Sequence, residues 1–187
     1  MSEQLEGRKV AVYVALAGTE QVELVEPRKA IEAAGGTVEV LGAKVGTVHM
    51  VNHDLEPGDS VVVDKTFGAV SAAEYDGLVI PGGSVGADKL RADRDAVALL
   101  QEFGKLGKPI AVICHGPWTL VEAGLAQGRT LTSFPSLQTD IRNAGGTWVD
   151  EEVVVDRGIV TSRNPDDLPA FCAKLIDEIA RSPRREA

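Results

Sequence analysis

Apolar residues fall along this chain in short unbroken runs, separated by stretches in which they return every third or fourth position. The first run, KVAVYVALAG (Lys9 to Gly18), is rich in β-branched residues and closes on glycine. An uninterrupted run of this kind is how a strand covered on both faces reads. Val22, Val25, Ala30, Ile31 and Ala34 then recur at helical spacing as far as Gly35-Gly36, which predicts a helix stopped by glycine. Pro27 falls near its first turns, where proline does least damage. TVEVLG (Thr37 to Gly42) predicts the next strand, so a βαβ unit occupies the start of the chain.

Between Val45 and Phe67 the pattern loosens. Two β-like pieces, TVHMV and SVVVD, are separated by the turn-rich NHDLEPGD. YDGLVIPGG then predicts a strand that runs into a loop, PGGSVGADK. DRDAVALLQEFGKLG predicts a helix with aspartates at its start and glycine at its end. KPIAVIC is the next strand and HGPWTLVEAG the next helix. Beyond Arg129 come TLTS, a helix from about Pro135 to Ala144, the β-like TWVD, EVVVD and GIVTS, and a last helix from Pro165 to Arg181. Only SPRREA reads as frayed. Strands alternating with helices predict a mostly parallel sheet with helices on both faces. The expectation is one α/β domain over residues 1–187, with its core at about 8–181.

Composition narrows the function more than the fold. With 28 acidic and 19 basic residues the net charge is −9, the opposite of the basic footprint that non-specific nucleic-acid binding needs. No apolar run is long enough to span a membrane, and MSEQLEGRK carries no apolar signal stretch. Two cysteines do not make a disulfide framework in a chain of this length. A cytoplasmic protein with both thiols reduced is expected.

The candidate chemistry centres on AVICHGPW, which places Cys114 between an apolar strand and His-Gly-Pro. A sulfur at a strand-to-helix turn feels the positive end of the helix dipole, which is expected to lower its pKa. The tight turn also keeps it out of the core, as in the elbows that carry a nucleophilic serine. The competing reading is a cysteine that ends an ordinary buried strand. His115 either orients the thiolate, acts as acid or base, or is a structural histidine at the helix start; neighbours on a turn are expected to point apart. Backbone N–H groups of Gly82 and Gly83, with that of His115, suit an oxyanion hole. Glu20 and Glu23 share a helical face that starts on the same sheet edge. A carboxyl held against a thiolate is expected to keep its proton. His49 and His53 have no ligand-like partners in the sequence, and no metal site is expected. Cys172 falls on the apolar face of the last helix and reads as core packing. Trp118 reads as packing, or as the floor of a pocket, or as a contact to a partner subunit.

The strand–Cys-His-Gly-Pro–helix pattern, preceded by VIPGG and opened by EQVELVEP, resembles the DJ-1/PfpI family within the class I glutamine amidotransferase-like group. The resemblance covers nearly the whole chain, through TSFPSLQTDIRNAGGTWVDEEVVVDRGIVTSRNPDDLPAF, and is nearest to the intracellular protease I and general stress protein branch. It implies a flavodoxin-like three-layer sandwich, with Cys114 as nucleophile, His115 beside it, and Glu23 against the sulfur with Glu20 close by. It also implies that Asp88, in the loop after Gly-Gly, reaches from a neighbouring subunit to orient His115, which requires a homodimer or larger assembly. Gly83 and His115 would supply the oxyanion donors, Gly82, Trp118 and Phe134 would complete the substrate pocket, and no cofactor is implied. Phe134 stands where some members carry tyrosine, which weakens the peptidase reading. No His-x-Glu pair follows His115, so glutamine hydrolysis is not expected. The expected function is that of a stress-response hydrolase of carbonyl adducts on small molecules or modified proteins (deglycation, methylglyoxal hydration, or peptidase-like cleavage). The alternatives are a redox sensor or chaperone working through oxidation of Cys114, and a flavodoxin-like binding module, which lacks its phosphate-cradling loop after the first strand.

Overall fold

Period-two alternation on buried strands decides which side of the sheet each residue serves. In the computed structural model, which describes residues 4–184, β1 (Lys9–Tyr13) sends Val10 and Val12 into one core and Ala11 and Tyr13 into the other. Residues 1–3 and 185–187, the latter the end of the SPRREA tail, lie outside the described residues. The first core is closed by α1 (Gln21–Ala33) and α6 (Leu168–Arg181), through Leu24, Ile31, Phe171, Leu175 and Ile179. The second is closed by α2 (Ser84–Ala92), α3 (Arg94–Lys105), α4 (Pro117–Glu122) and α5 (Gln138–Asn143), through Leu90, Leu100, Phe103, Leu120 and Ile141.

The sheet between them has seven strands. To β1 it adds β2 (Thr37–Gly42), β5 (Lys65–Thr66), β6 (Gly77–Ile80), β7 (Ile110–Ile113), β10 (Val153–Asp156) and β11 (Ile159–Ser162), in the order β10-β11-β7-β6-β1-β2-β5. GLVI, IAVI and IVTS are buried throughout, which is why they form the parallel centre. Only β10 runs antiparallel, at an edge. The result is a flavodoxin-like three-layer sandwich. Among the described residues no helix is long and apolar enough to cross a membrane.

Several segments differ from the pattern-based reading. The first strand ends at Tyr13, and Val14 and Ala15 enter a loop whose Ala15 N–H donates to Thr19 Oγ1 at 3.0 Å. TVHMV and SVVVD pair as an antiparallel hairpin outside the main sheet, β3 (Gly46–Asn52) with β4 (Glu56–Val63). TLTS and TWVD supply two short strands, β8 (Thr130–Leu131) and β9 (Thr147–Trp148), that pair with each other. The start of the SPRREA tail is fixed, since the Ser182 carbonyl accepts from Arg8 Nη2 at 2.7 Å and Arg8 is paired with buried Asp76.

The largest correction is PGGSVGADK, which is helix α2 from Ser84 onward rather than loop. Its glycines hid the helical signal because they serve a close approach of two backbones. A Cβ on Gly86 would lie 2.6 Å from the Gly18 carbonyl oxygen and 2.9 Å from Thr19 N. On propensity alone Gly86→Ala would stabilise a helix by about 1 kcal/mol. Here the colliding atoms are backbone and cannot swing away, so the sign reverses. We expect Gly86→Ala to destabilise the protein by about 2 kcal/mol or more in urea unfolding; a stabilised variant would show that the two loops are not locked together.

Candidate active site

The carboxyl ends of β1, β6 and β7 open on one edge, where ligands collect in open α/β sheets. Cys114 is the first residue beyond β7 and has a φ of 62°. A side chain other than glycine rarely adopts that conformation, and it persists only where the surroundings over-determine it. Here the Cys114 N–H donates to Ser162 O at 3.1 Å and its carbonyl accepts from Phe134 N–H at 2.8 Å. Gly116 lets the chain turn, since a Cβ there would sit 2.8 Å from Ile113 O and 3.0 Å from Ile80 O. The thiol is thus presented at an elbow, though only 7% of the residue is exposed.

Glu23, in the first turn of α1, is fully buried. Its Oε2 accepts the Gly82 N–H at 2.7 Å, while Oε1 has no hydrogen-bond partner; the Cys114 thiol is a neighbour that interacts with the carboxyl. Burial raises the Glu23 pKa to about 8 against the opposing pull of these bonds. Glu23 is therefore a carboxylic acid at neutral pH, its O–H available to sulfur; burial holds the proton there, rather than repulsion from a thiolate, since the bond to Cys114 favours the ionised carboxyl. The sulfur itself departs from expectation. Burial, and then the Glu23 carboxylate when ionised, push the Cys114 thiol up rather than down, against N–H groups of Gly83 and His115 that favour the thiolate. The reason is geometric: α4 has only six residues and Gly116 stands between it and the sulfur, so its dipole is weak beside desolvation.

His115 does not point away from its neighbour. The left-handed backbone at Cys114 curls the two side chains together, and Nδ1 lies 3.2 Å from Sγ. The ring stacks on Phe134 (centroids 4.5 Å apart, 24° between planes) and meets the edge of Trp118 at 5.4 Å. Its Nε2 is 3.4 Å from Ser84 Oγ and 3.3 Å from Ser136 Oγ. Burial lowers the His115 pKa, and the Asp54 carboxylate opposes that. Trp118 does not floor the pocket: its Nε1 donates to Asp140 at 2.9 Å and the Arg91 guanidinium lies over its ring.

The remaining acids separate. Glu20 turns away from sulfur, and its two carboxylate oxygens accept the backbone N–H groups of His53 and Asp54 at 2.8 and 3.0 Å. Both residues have positive φ (52° and 64°), in the turn that joins β3 to β4. Asp54 in turn accepts from Ser84, at 2.6 Å from N and 3.0 Å from Oγ. Glu23, His53, Asp54, Cys114, His115 and Phe134 thus surround a cavity of about 200 Å³. Asp88 is exposed on α2 instead of in a loop, beside a separate cavity of about 370 Å³ with Leu16 and Phe67, and within one chain it does not reach His115. Cys172 is partly covered between α1 and α6, its pKa pushed up to about 11 by burial. Sequence reasoning missed Asp54, His53, Ser84 and Ser136; the turn-forming NHD hinted at a tight hairpin, but nothing local tied it to a strand end sixty residues on.

The DJ-1/PfpI family model matches residues 8–178 of this chain. A deglycase of Pyrococcus horikoshii is 40% identical over 157 residues, 84% of this chain and 91% of that protein. The deglycase PfpI of Pyrococcus furiosus is 38% identical over 157 residues, with the same coverage of 84% and 91%. Among solved structures, Drosophila melanogaster DJ-1beta superposes with a TM-score of 0.83 at 29% identity, covering 97% of this chain and 92% of that one.

The buried acid has a stability signature. An unfolded glutamate ionises near pH 4.3, whereas Glu23 holds its proton to about 8. Between those values the folded state binds a proton that the unfolded state lacks, so stability falls as pH rises, by up to about 1.4 kcal/mol per pH unit. Glu23→Gln should therefore raise the melting temperature at pH 7.5 by several degrees and change it little at pH 4.5; equal effects at both would refute a proton held at Glu23.

Proposed function

The chain belongs to the DJ-1/PfpI family, and on that premise we propose that it is a cysteine-dependent hydrolase of small carbonyl adducts, acting on glyoxal- or methylglyoxal-modified groups or on methylglyoxal itself. The observation that carries this reading is the approach of His115 Nδ1 to within 3.2 Å of Cys114 Sγ, with the carboxyl of Glu23 on the sulfur as well. His115 takes the thiol proton at Nδ1, and the sulfur pair forms a C–S bond to the carbonyl carbon. The displaced π pair moves to oxygen, giving a hemithioacetal once that oxygen is protonated. The Glu23 O–H and the N–H groups of Gly83 and His115 oppose the build-up of negative charge during this step. On a glycated group the amine or thiol leaves with a proton as the C–S bond forms. A proton then moves from the sulfur-bearing carbon to the neighbouring carbonyl carbon through an enediol, which gives a 2-hydroxyacyl thioester with no external oxidant. Water cleaves that thioester, releasing the hydroxyacid and returning a proton to sulfur. No step draws on an oxidant or a cofactor.

Two further considerations favour a small substrate. A cavity of about 200 Å³ rimmed by Phe134 suits a compact head group better than an extended peptide. The relatives named as deglycases align with this chain over most of their length. Redox sensing through the same thiol is the weaker reading, because the sulfur is buried and burial opposes its ionisation.

Wild-type protein is expected to consume methylglyoxal, or to free N-acetylcysteine from its methylglyoxal adduct, and Cys114→Ser to lose at least a hundredfold in kcat/KM. The wild-type rate should decline above about pH 8, where Glu23 loses its proton beside the sulfur, and Glu23→Gln should lack that decline. Turnover by Cys114→Ser at the wild-type rate would end the proposal.

A further inference from the structure

We infer that Asp54, acting through Ser84, is the positioning acid for His115, so that the hairpin turn of one chain completes the catalytic group within that chain. This rests on the hydrolase reading above for its function but not for its geometry.

The direction of each hydrogen bond carries the argument. Ser84 Oγ donates its proton to Asp54 Oδ2 at 3.0 Å, and Ser84 N–H donates to Oδ1 at 2.6 Å. With its hydroxyl proton committed to a carboxylate, Ser84 Oγ can only accept from His115 Nε2, 3.4 Å away. Nε2 therefore carries the ring proton, and Nδ1 presents its lone pair to Cys114 Sγ at 3.2 Å. A carboxylate that fixes the tautomer through one ring nitrogen leaves the other free to act as base. In that tautomer Ser136 Oγ, 3.3 Å from Nε2, accepts from the same N–H, and it leads to no carboxylate among the described hydrogen bonds.

The turn is built to hold Asp54 there. Two consecutive positive-φ residues are strained, and their N–H groups are both bound by the Glu20 carboxylate. Glu20 is thus a positioning residue for the arm, which explains why one of two acids on the same helical face leaves the sulfur to the other. The charged and titratable groups around His115 are Cys114, Glu23 from α1, Glu20 before it, and His53 and Asp54 from the turn; Arg91 of α2 and Asp140 of α5 stand beyond Trp118. Of these, Asp54 is the carboxylate joined to the ring through a hydrogen-bonded side chain.

The test is the pH dependence of Cys114 alkylation by iodoacetamide in full-length Cys172→Ala protein, which reads the thiol–imidazole pair whatever the substrate. Asp54→Asn and Ser84→Ala should each slow alkylation at pH 7 by about tenfold and move its midpoint to higher pH, because the imidazolium partner of the thiolate loses its counter-charge. Ser84→Thr, which retains the hydroxyl, should restore the wild-type profile. Ser84→Ala leaves the Glu20 bonds to the turn in place, so it reports even if Asp54→Asn unfolds. Wild-type profiles in Ser84→Ala overturn the inference, as does a profile that moves with Asp88→Asn in place of the Ser84 and Asp54 variants. If the profiles move as described but wild type turns over no carbonyl compound, the reaction above fails and the positioning chain stands.

Discussion

The chemistry of this protein depends on one backbone constraint, the left-handed conformation of Cys114. Its peptide groups are claimed from two sides, by the end of β11 through Ser162 and by the chain at Phe134. Neither bond is local, so the strain at Cys114 is sustained by the parallel sheet and the segment after β8 rather than by the CHGP sequence itself. From that conformation follow the convergence of thiol and imidazole and the approach of Gly82 and Gly83 to the sulfur. Gly82 is pressed between Glu23 and Cys114: a Cβ there would lie 2.6 Å from Glu23 Oε2 and 2.7 Å from Cys114 Cβ.

Burial then sets the electrostatics. Glu23 and Cys114 are both largely removed from water, and an ionised Glu23 makes ionisation of the thiol harder still. A short helix start is too weak to reverse this. The site answers with proton-holding and proton-accepting partners on the sulfur: a carboxylic acid that stays neutral, two backbone N–H groups, and an imidazole whose own pKa is lowered by burial. A thiolate formed there is paired as it forms, which distinguishes the site from an exposed cysteine activated by a helix dipole alone.

Much of this was legible beforehand because it is local or periodic. The central strands are uninterrupted apolar runs, and both cores follow from their alternation. The elbow was legible because a cysteine between such a run and His-Gly-Pro has little other use. Helix α2 was not, since Gly83 and Gly86 look like loop residues until the backbone of Gly18 is seen against them. The hairpin shows in the sequence only as two loose β-like pieces, and its Asp54 carries no local sign of a site, because its partner Ser84 is brought there only by the docking of α2.

The sequence by itself determined the α/β alternation, the strand-end thiol with its histidine, and a pair of acids on one helical face, because each is written in residues a few positions apart. It left undecided which acid meets the sulfur, which way His115 points and what lies behind its far nitrogen. Tertiary structure decided these. Glu23 is turned inward to Gly82 and Cys114 while Glu20 is taken up by the hairpin turn. Roles of this kind depend on burial and on partners thirty to ninety residues away, which side-chain spacing along one element does not encode.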